Sequence, residues 1–334
     1  MLAWLSDSIP LIRKIFIALA IFSLIGCGDP NADDRESLMA LYQATGGENW
    51  RNNDNWGTDL PLDQWFGIET NREGAVVGLE LKGNKLKGTL PSNIEGLKKL
   101  EILKITSSNL SGPLPEAWLK FPEVRVIELY NLGLEGPLPD TFQTAPDLRY
   151  LKLYGNKFTG PIPQSIFSLD RIKDLRLGGN RFTGTISPDI GNLTELKYLD
   201  LAYNQFTGSI PKSIGLLKNL EYLMLGDNLL TGTFPADIAE LQKLEQIYAE
   251  DNQLTGPIPV ELLKLDALTY VNFRENSGIQ SLPKAFNQQE KVRAFVTPPK
   301  DPNDRDTFDV WFEQKRQEQI RKYGASIDMT PHKN

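Results

Sequence analysis

With 36 Lys and Arg against 43 Asp and Glu in 334 residues, the chain carries a formal charge of −7, and no basic block stands out from the background. Binding to a nucleic-acid backbone, which needs clustered Lys and Arg, is excluded on that balance. One histidine, His332 near the C-terminus, and one cysteine, Cys27, leave no His-based hydrolytic triad and no His/Cys zinc site. No cofactor and no metal is expected. The length would suit two ordinary domains, but a 24-residue period overrides that inference.

In chain order, Arg13 and Lys14 precede an apolar run, Ile15 to Ile25, that ends in Leu24-Ile25-Gly26-Cys27. A basic flank, a short apolar segment and small residues at its end make a secretory signal, and the run is too short to span a bilayer comfortably. A lone cysteine cannot close an intrachain disulfide. Leu-Ile-Gly-Cys resembles the lipobox of bacterial lipoproteins. That resemblance implies a signal peptide over residues 1–26, an acylated Cys27 at the mature N-terminus and a tether over 27–32. It places the protein in the bacterial cell envelope as an outer-membrane lipoprotein, on either the periplasmic or the surface-exposed side. Gly28 rather than Asp follows the cysteine, and the acids just beyond it resemble the surface-export tether of some Bacteroidetes lipoproteins.

Residues 33–75 read as an N-terminal cap. Asp33 to Ala44 is predicted as a helix opened by a capping box, Asp33 with Glu36, and stopped by Gly46-Gly47. Trp50, Trp56, Trp65 and Phe66 follow closely. They are expected to plug the open end of the first repeat rather than to form a carbohydrate platform.

Residues 76–292 divide into nine units. The first core residue of each recurs at Leu79, Leu103, Ile127, Leu151, Leu175, Leu199, Leu223, Ile247 and Val271, every step 24 residues. A second apolar column two residues on gives the alternation of a half-buried strand. Gly88, Gly112, Gly136, Gly160, Gly184, Gly208, Gly232 and Gly256 mark one tight backbone position, which calls for positive φ or close chain approach. A proline follows three residues after this column, from Pro91 to Pro283, except at Ser187. An asparagine column (Asn84, Asn156, Asn180, Asn204, Asn228, Asn252, Asn276) is expected to bond turn backbones of adjacent repeats. Ser108 and Leu132 break that column, so an irregular ladder is predicted in repeats two and three.

The L/F-x-G-x-L/I-P pattern resembles the plant-type leucine-rich repeats of receptor-kinase ectodomains and polygalacturonase inhibitors, and the DRESLMALYQATGGENW opening resembles their N-terminal cap. Plant caps usually carry a cysteine pair here; this chain has none, so packing alone must hold its cap. The fold expected is an α/β solenoid, a right-handed leucine-rich-repeat superhelix with a concave parallel sheet, a helical N-terminal cap and a C-terminal helix. A single repeat cannot bury enough to stand alone, so the array and its caps fold together. Residues 293–334 read as a Pro-rich linker, a helix over Thr307 to Tyr323 and a disordered tail. Phe308, Trp311 and Phe312 form an apolar patch on that helix, suited to capping the last repeat or to a partner.

Function is expected on the outward strand positions of the concave face. Eight of the ten tyrosines fall there: Tyr130, Tyr150, Tyr154, Tyr198, Tyr203, Tyr222, Tyr248 and Tyr270. Tyrosine offers rigid contact area with a hydrogen-bonding tip, as in antibody paratopes. Arg176, Asp200, Asp227 and Asp251 join them as candidate ligand contacts. Asp227, Glu250, Asp251 and Glu275 are expected to gather at the C-terminal end of that face, as a solvated acidic patch or a dock for a basic ligand. The first reading is a monomeric, lipid-anchored, non-enzymatic recognition protein for a protein, peptide or glycan. A structural or adhesion spacer and a carboxylate-based hydrolase are the alternatives.

Overall fold

The computed structural model describes residues 31–279, 283, 285–286 and 293–295. The expected signal peptide, Cys27 and the helix at 307–323 lie outside the described residues.

An α-helix, Ala32–Ala44, opens the fold, and it forms without the predicted capping box. Asn31 occupies the N-cap position and makes no side-chain cap bond. Asp33 already lies inside the first turn, where its carboxylate reaches Lys98 Nζ at 2.8 Å instead of a helix amide. Asp34 accepts a hydrogen bond from the Val76 amide at 2.7 Å, which ties the helix to the first repeat strand. Gly46, at φ 65°, stops the helix. Trp50, Trp56 and Trp65 are buried and pack with Tyr42, with centroids 4.9–5.9 Å apart; Trp56 stacks on Tyr42 and the other contacts are edge-on or tilted. Buried rings leave no face for a sugar, and the indoles of Trp50 and Trp56 donate to the carbonyls of Thr45 and Phe66. Phe66 alone of the four is exposed.

Beyond the cap the chain is a leucine-rich-repeat solenoid. Each repeat lays one strand in an 11-stranded sheet, parallel except at its first pair. Register is constant: Leu151, Leu175, Leu199, Leu223, Ile247 and Val271 are consecutive cross-strand neighbours. Their side chains are fully buried with Leu153, Leu177, Leu201 and Leu225 in one continuous core. Short 3₁₀ turns, such as Gln164–Ser168 and Lys212–Leu216, form the opposite side. A turn takes more room per repeat than a strand, so the strand side is the concave one. Residues 293–295, assigned to a linker by sequence, instead pair parallel to Tyr270–Asn272 as a further strand. Arg293-Ala294-Phe295 lacks the two-leucine alternation, and Ala294, the partner of Val271, falls one position short of the full repeat period. Both departures hid this strand.

All eight glycines of the tight column have positive φ. At Gly208 a Cβ would also meet Thr185 Cγ2 at 2.9 Å. The asparagine ladder forms between repeats as expected. Asn204 accepts from the Phe182 amide at 3.0 Å and donates to the Leu177 and Leu201 carbonyls at 3.1 Å. Asn84 does the same work at the end of the stack, exchanging bonds with the Asn52 backbone of the cap.

Repeats two and three depart from the ladder in two different ways. Ser108 Oγ accepts from the Leu86 amide at 3.3 Å, the bond an asparagine would take, so the side-chain acceptor survives there. At Leu132 the backbone substitutes: the Leu110 amide donates to the Leu132 carbonyl at 2.8 Å. A second, lateral sheet registers the irregularity. Lys87–Thr89 pairs only with Asn109–Ser111, and a separate seven-stranded sheet begins at Glu135–Pro137.

Candidate binding face

Strand alternation sends Leu199 into the core and Tyr198 and Asp200 to the other face. There Tyr198, Ala202, Tyr222, Met224, Tyr248 and Tyr270 form a second apolar cluster, with Tyr203 packed on it. Tyr198, Tyr203, Tyr222, Tyr248 and Tyr270 are thus brought together, but the eight candidate tyrosines do not make an open surface. Six are buried, Tyr203 is half-buried, and only Tyr150 is exposed, at 38 %. Neighbouring strands sit about 4.8 Å apart, so rings on adjacent repeats stack on one another. Tyr130 lies 4.3 Å from Tyr154, Tyr198 5.3 Å from Tyr222, and Tyr248 4.8 Å from Tyr270. Several hydroxyls are spent internally: Tyr198 donates to Met224 Sδ, Tyr222 to Glu245 Oε2 at 2.6 Å and Tyr248 to Gln246 Oε1. Burial pushes Tyr154, Tyr203, Tyr248 and Tyr270 above the ordinary phenol range.

Down the middle of the same face runs a charge ladder that the sequence reading missed. Lys104 pairs with Glu80 at 2.8 Å, and Lys152 with Glu128 at 3.0 Å and Asp174 at 3.8 Å. Arg176 binds Asp174 through two bonds, 2.8 and 3.0 Å, and its guanidinium covers the Tyr198 ring at 4.0 Å. Arg176 is 2 % exposed. Its Nε and Nη2 are engaged by Asp174 and its face lies on Tyr198, so this candidate contact is turned to its neighbours rather than to solvent. The alternation of sign from one repeat to the next, Glu80, Lys104, Glu128, Lys152, was the available signal. Asp200 is buried as well; burial first, then Asp174, pushes its carboxyl up to about 6, opposed by the Ala202 amide and Arg176. Neither Arg176 nor Asp200 is presented to solvent.

The predicted acidic end does form. Asp251 and Glu275 are exposed, Asp227 and Glu250 part-buried. Burial and then the neighbouring Asp251 push Asp227 up to about 6, although Tyr203 donates to it. Glu250 rises further, to about 8, because it is desolvated and faces Asp227 and Asp251. Asp251 is raised by burial and Glu275.

One backbone feature underlies this placement. The residue four beyond each first core position has positive φ throughout: Gly83, Ser107, Asn131, Gly155, Gly179, Tyr203, Asp227, Asp251 and Glu275. Glycine suits that conformation, yet the last four repeats in this column carry large or charged side chains. Tyr203, Asp227, Asp251 and Glu275 are therefore held on the rim of the sheet at a backbone cost.

Comparison with known proteins agrees with this architecture. Leucine-rich-repeat families match residues 194–254, and 147–169 with 171–193. A probable leucine-rich repeat receptor-like protein kinase of Arabidopsis thaliana is 31 % identical over 96 residues, 28 % of this chain and 9 % of that protein. The crystal structure of PEPR1 with AtPEP1 superposes with a TM-score of 0.71 at 25 % identity, over 79 % of this chain and 41 % of that one. The plant peptide hormone receptor RGFR1 in complex with RGF2 gives 0.55 at 25 % identity, over 66 % and 43 %. This chain thus spans less than half the length of each of these proteins. It is built of leucine-rich repeats, folds as a leucine-rich-repeat solenoid, and is similar to the ectodomains of plant leucine-rich-repeat receptor kinases.

Proposed function

We propose that the protein is a non-enzymatic recognition protein that binds a peptide or an extended protein segment along its concave face, and that acylation of Cys27 anchors it to a bacterial envelope membrane. The observation that carries the concave site is the row of side chains held at positive φ from Tyr203 to Glu275. Scaffold needs alone would favour glycine there, and backbone strain collects at functional sites. Similarity to a plant peptide hormone receptor in complex with RGF2 supports a peptide as the ligand class. The stacked tyrosines supply a rigid floor beneath that row, while Tyr150 and Tyr203 offer accessible aromatic area.

The concave face is separated from the convex one by paired variants. Peptides from a random library selected on the immobilised protein are measured against Tyr150→Ala and Tyr203→Gly, and against the exposed convex changes Leu216→Asn and Val260→Asn. Loss of about tenfold, near 1.4 kcal/mol, is expected from the concave pair, with little effect from the convex pair. The reverse pattern would replace this reading with that of a spacer contacted on its outer side.

A further inference from the structure

We propose that the apolar groove at the C-terminal end of the solenoid is the seat of the chain's own residues 307–323, which lie outside the described residues, and that Phe308, Trp311 and Phe312 fill it. The groove is on the outer side of the solenoid, so this contact and the concave-face reading stand or fall separately.

The groove measures about 590 Å³ and is lined by Pro257, Pro259, Val260, Glu261, Gly278 and Pro283. It opens where the eighth repeat passes from the lateral strand Asn252–Thr255 into the outer turn Val260–Lys264. One exposed aliphatic side chain is ordinary on a surface. Val260, 49 % exposed, differs in two respects. It stands in a concavity walled by three prolines, which offer ring carbons and no amide donor. Its register position, counted back in steps of 24, carries Ala236, Lys212, Pro188, Gln164, Asp140 and Glu116. The branched aliphatic is therefore a departure of this repeat, made at the end of the array that the tail follows.

The chemistry of the segment matches. Phe308, Trp311 and Phe312 recur at i, i+3 and i+4, which puts them on one face of the helix predicted over Thr307 to Tyr323. Lys315 lies one turn beyond Trp311 on that face, and Glu261 at the groove wall is its complement. The tether is long enough. Phe295 is the strand partner of Asn272, about 4.8 Å away. Gly278 follows Asn272 by six residues, at most about 22 Å of chain. The groove therefore lies within about 27 Å of Phe295, while residues 296–306 extend to about 40 Å. Size also favours an occupant from the same chain. Three aromatic side chains bury about 450–750 Å², below the roughly 800 Å² per partner of a standard interface between separate proteins. A tether that raises the local concentration to the order of 1 mM makes so small a contact sufficient.

The test puts p-benzoylphenylalanine in place of Phe312 in the full chain, irradiates it and maps the adducts by mass spectrometry. Adducts within one chain to residues 256–261 are expected. In the unlabelled chain, amide exchange over residues 307–323 should be about tenfold slower than in Val260→Asp, and Val260→Leu should keep that protection. Glu261→Lys should speed exchange in the same segment by a smaller factor. Val260 is exposed, so Val260→Asp leaves the repeat core intact, which circular dichroism checks. Adducts that map to other repeats, or exchange over 307–323 that is the same in Val260→Asp, would overturn the proposal. Adducts that join two chains would overturn it as well and assign the groove to a second copy.

Discussion

Asn204 shows how much one scaffold side chain carries. Its amide meets four backbone groups, in its own turn and in the preceding repeat, and truncation strands buried donors and acceptors. Asn204→Ala is expected to cost about 3 kcal/mol, read as a shift in the urea midpoint. Glu275 sits in the opposite situation, exposed and at φ 53°. Glu275→Gly relieves a left-handed backbone cost of about 1–2 kcal/mol and adds back part of it as unfolded-state entropy, for a net gain near 0.5 kcal/mol. Thermal unfolding would register that gain; a drop in Tm would show that the side chain contributes contacts. Glu250 sets a pH dependence whose sign is unusual for a carboxylate. Its folded-state value of about 8 lies above the ordinary 4.5, so between those values the native state keeps a proton that the unfolded chain has released. Stability therefore falls as pH rises through that window and levels beyond it. Asp200 and Asp227, at about 6 against 3.8, add to the lower part of the fall. Glu250→Gln should remove the segment from about pH 6 to 8 in denaturation midpoints; an unchanged slope would place the titration elsewhere.

Among the elements, the cap at residues 33–75 has no cysteine and is held by packing. Trp56 touches Tyr42, Trp50 and Trp65, so Trp56→Ala opens a cavity at the mouth of the first repeat. A loss of about 3–5 kcal/mol is expected, with faster amide exchange in the Val76–Lys82 strand before any change near Tyr222. The helix and the tryptophan plug were legible from apolar spacing and from the glycine pair. The cap bond was not, because Asp33 and Asn31 both suit an N-cap by residue type. Where the helix begins was decided by Asp33 and Asp34 finding partners 65 and 42 residues away.

Across the whole molecule, nearest-neighbour architecture makes length adjustable in units of one repeat. Deleting residues 196–219 removes one whole repeat in register and should leave a cooperative solenoid, whereas deleting 196–207 breaks the leucine and asparagine columns and should abolish folding. Circular dichroism and gel filtration separate the outcomes. Charge is distributed on the same one-dimensional plan, since each concave side chain sees mainly its counterparts in the adjacent repeats. A face can therefore be neutralised along one stretch and left acidic along another without altering the fold.

Sequence alone determined the repeat, its register, the two core columns, the glycine and asparagine columns and the side on which the tyrosines lie. Those features recur with a fixed period, and each follows from local backbone geometry or from contact with an identical neighbour. Tertiary structure decided the rest. Tyr198, Tyr222, Tyr248 and Tyr270 are buried because stacking on adjacent strands takes the rings that a single strand would expose. Arg176 is occupied because Asp174 lies two residues away on the same face and Tyr198 on the next strand. Glu250 is desolvated because its carboxyl folds against Gly226 of the adjacent repeat, where Asp227 and Asp251 also face it. Occupancy of a polar group depends on which partners the fold brings within about 3 Å, and that distance is set between chain segments, where periodicity carries no information.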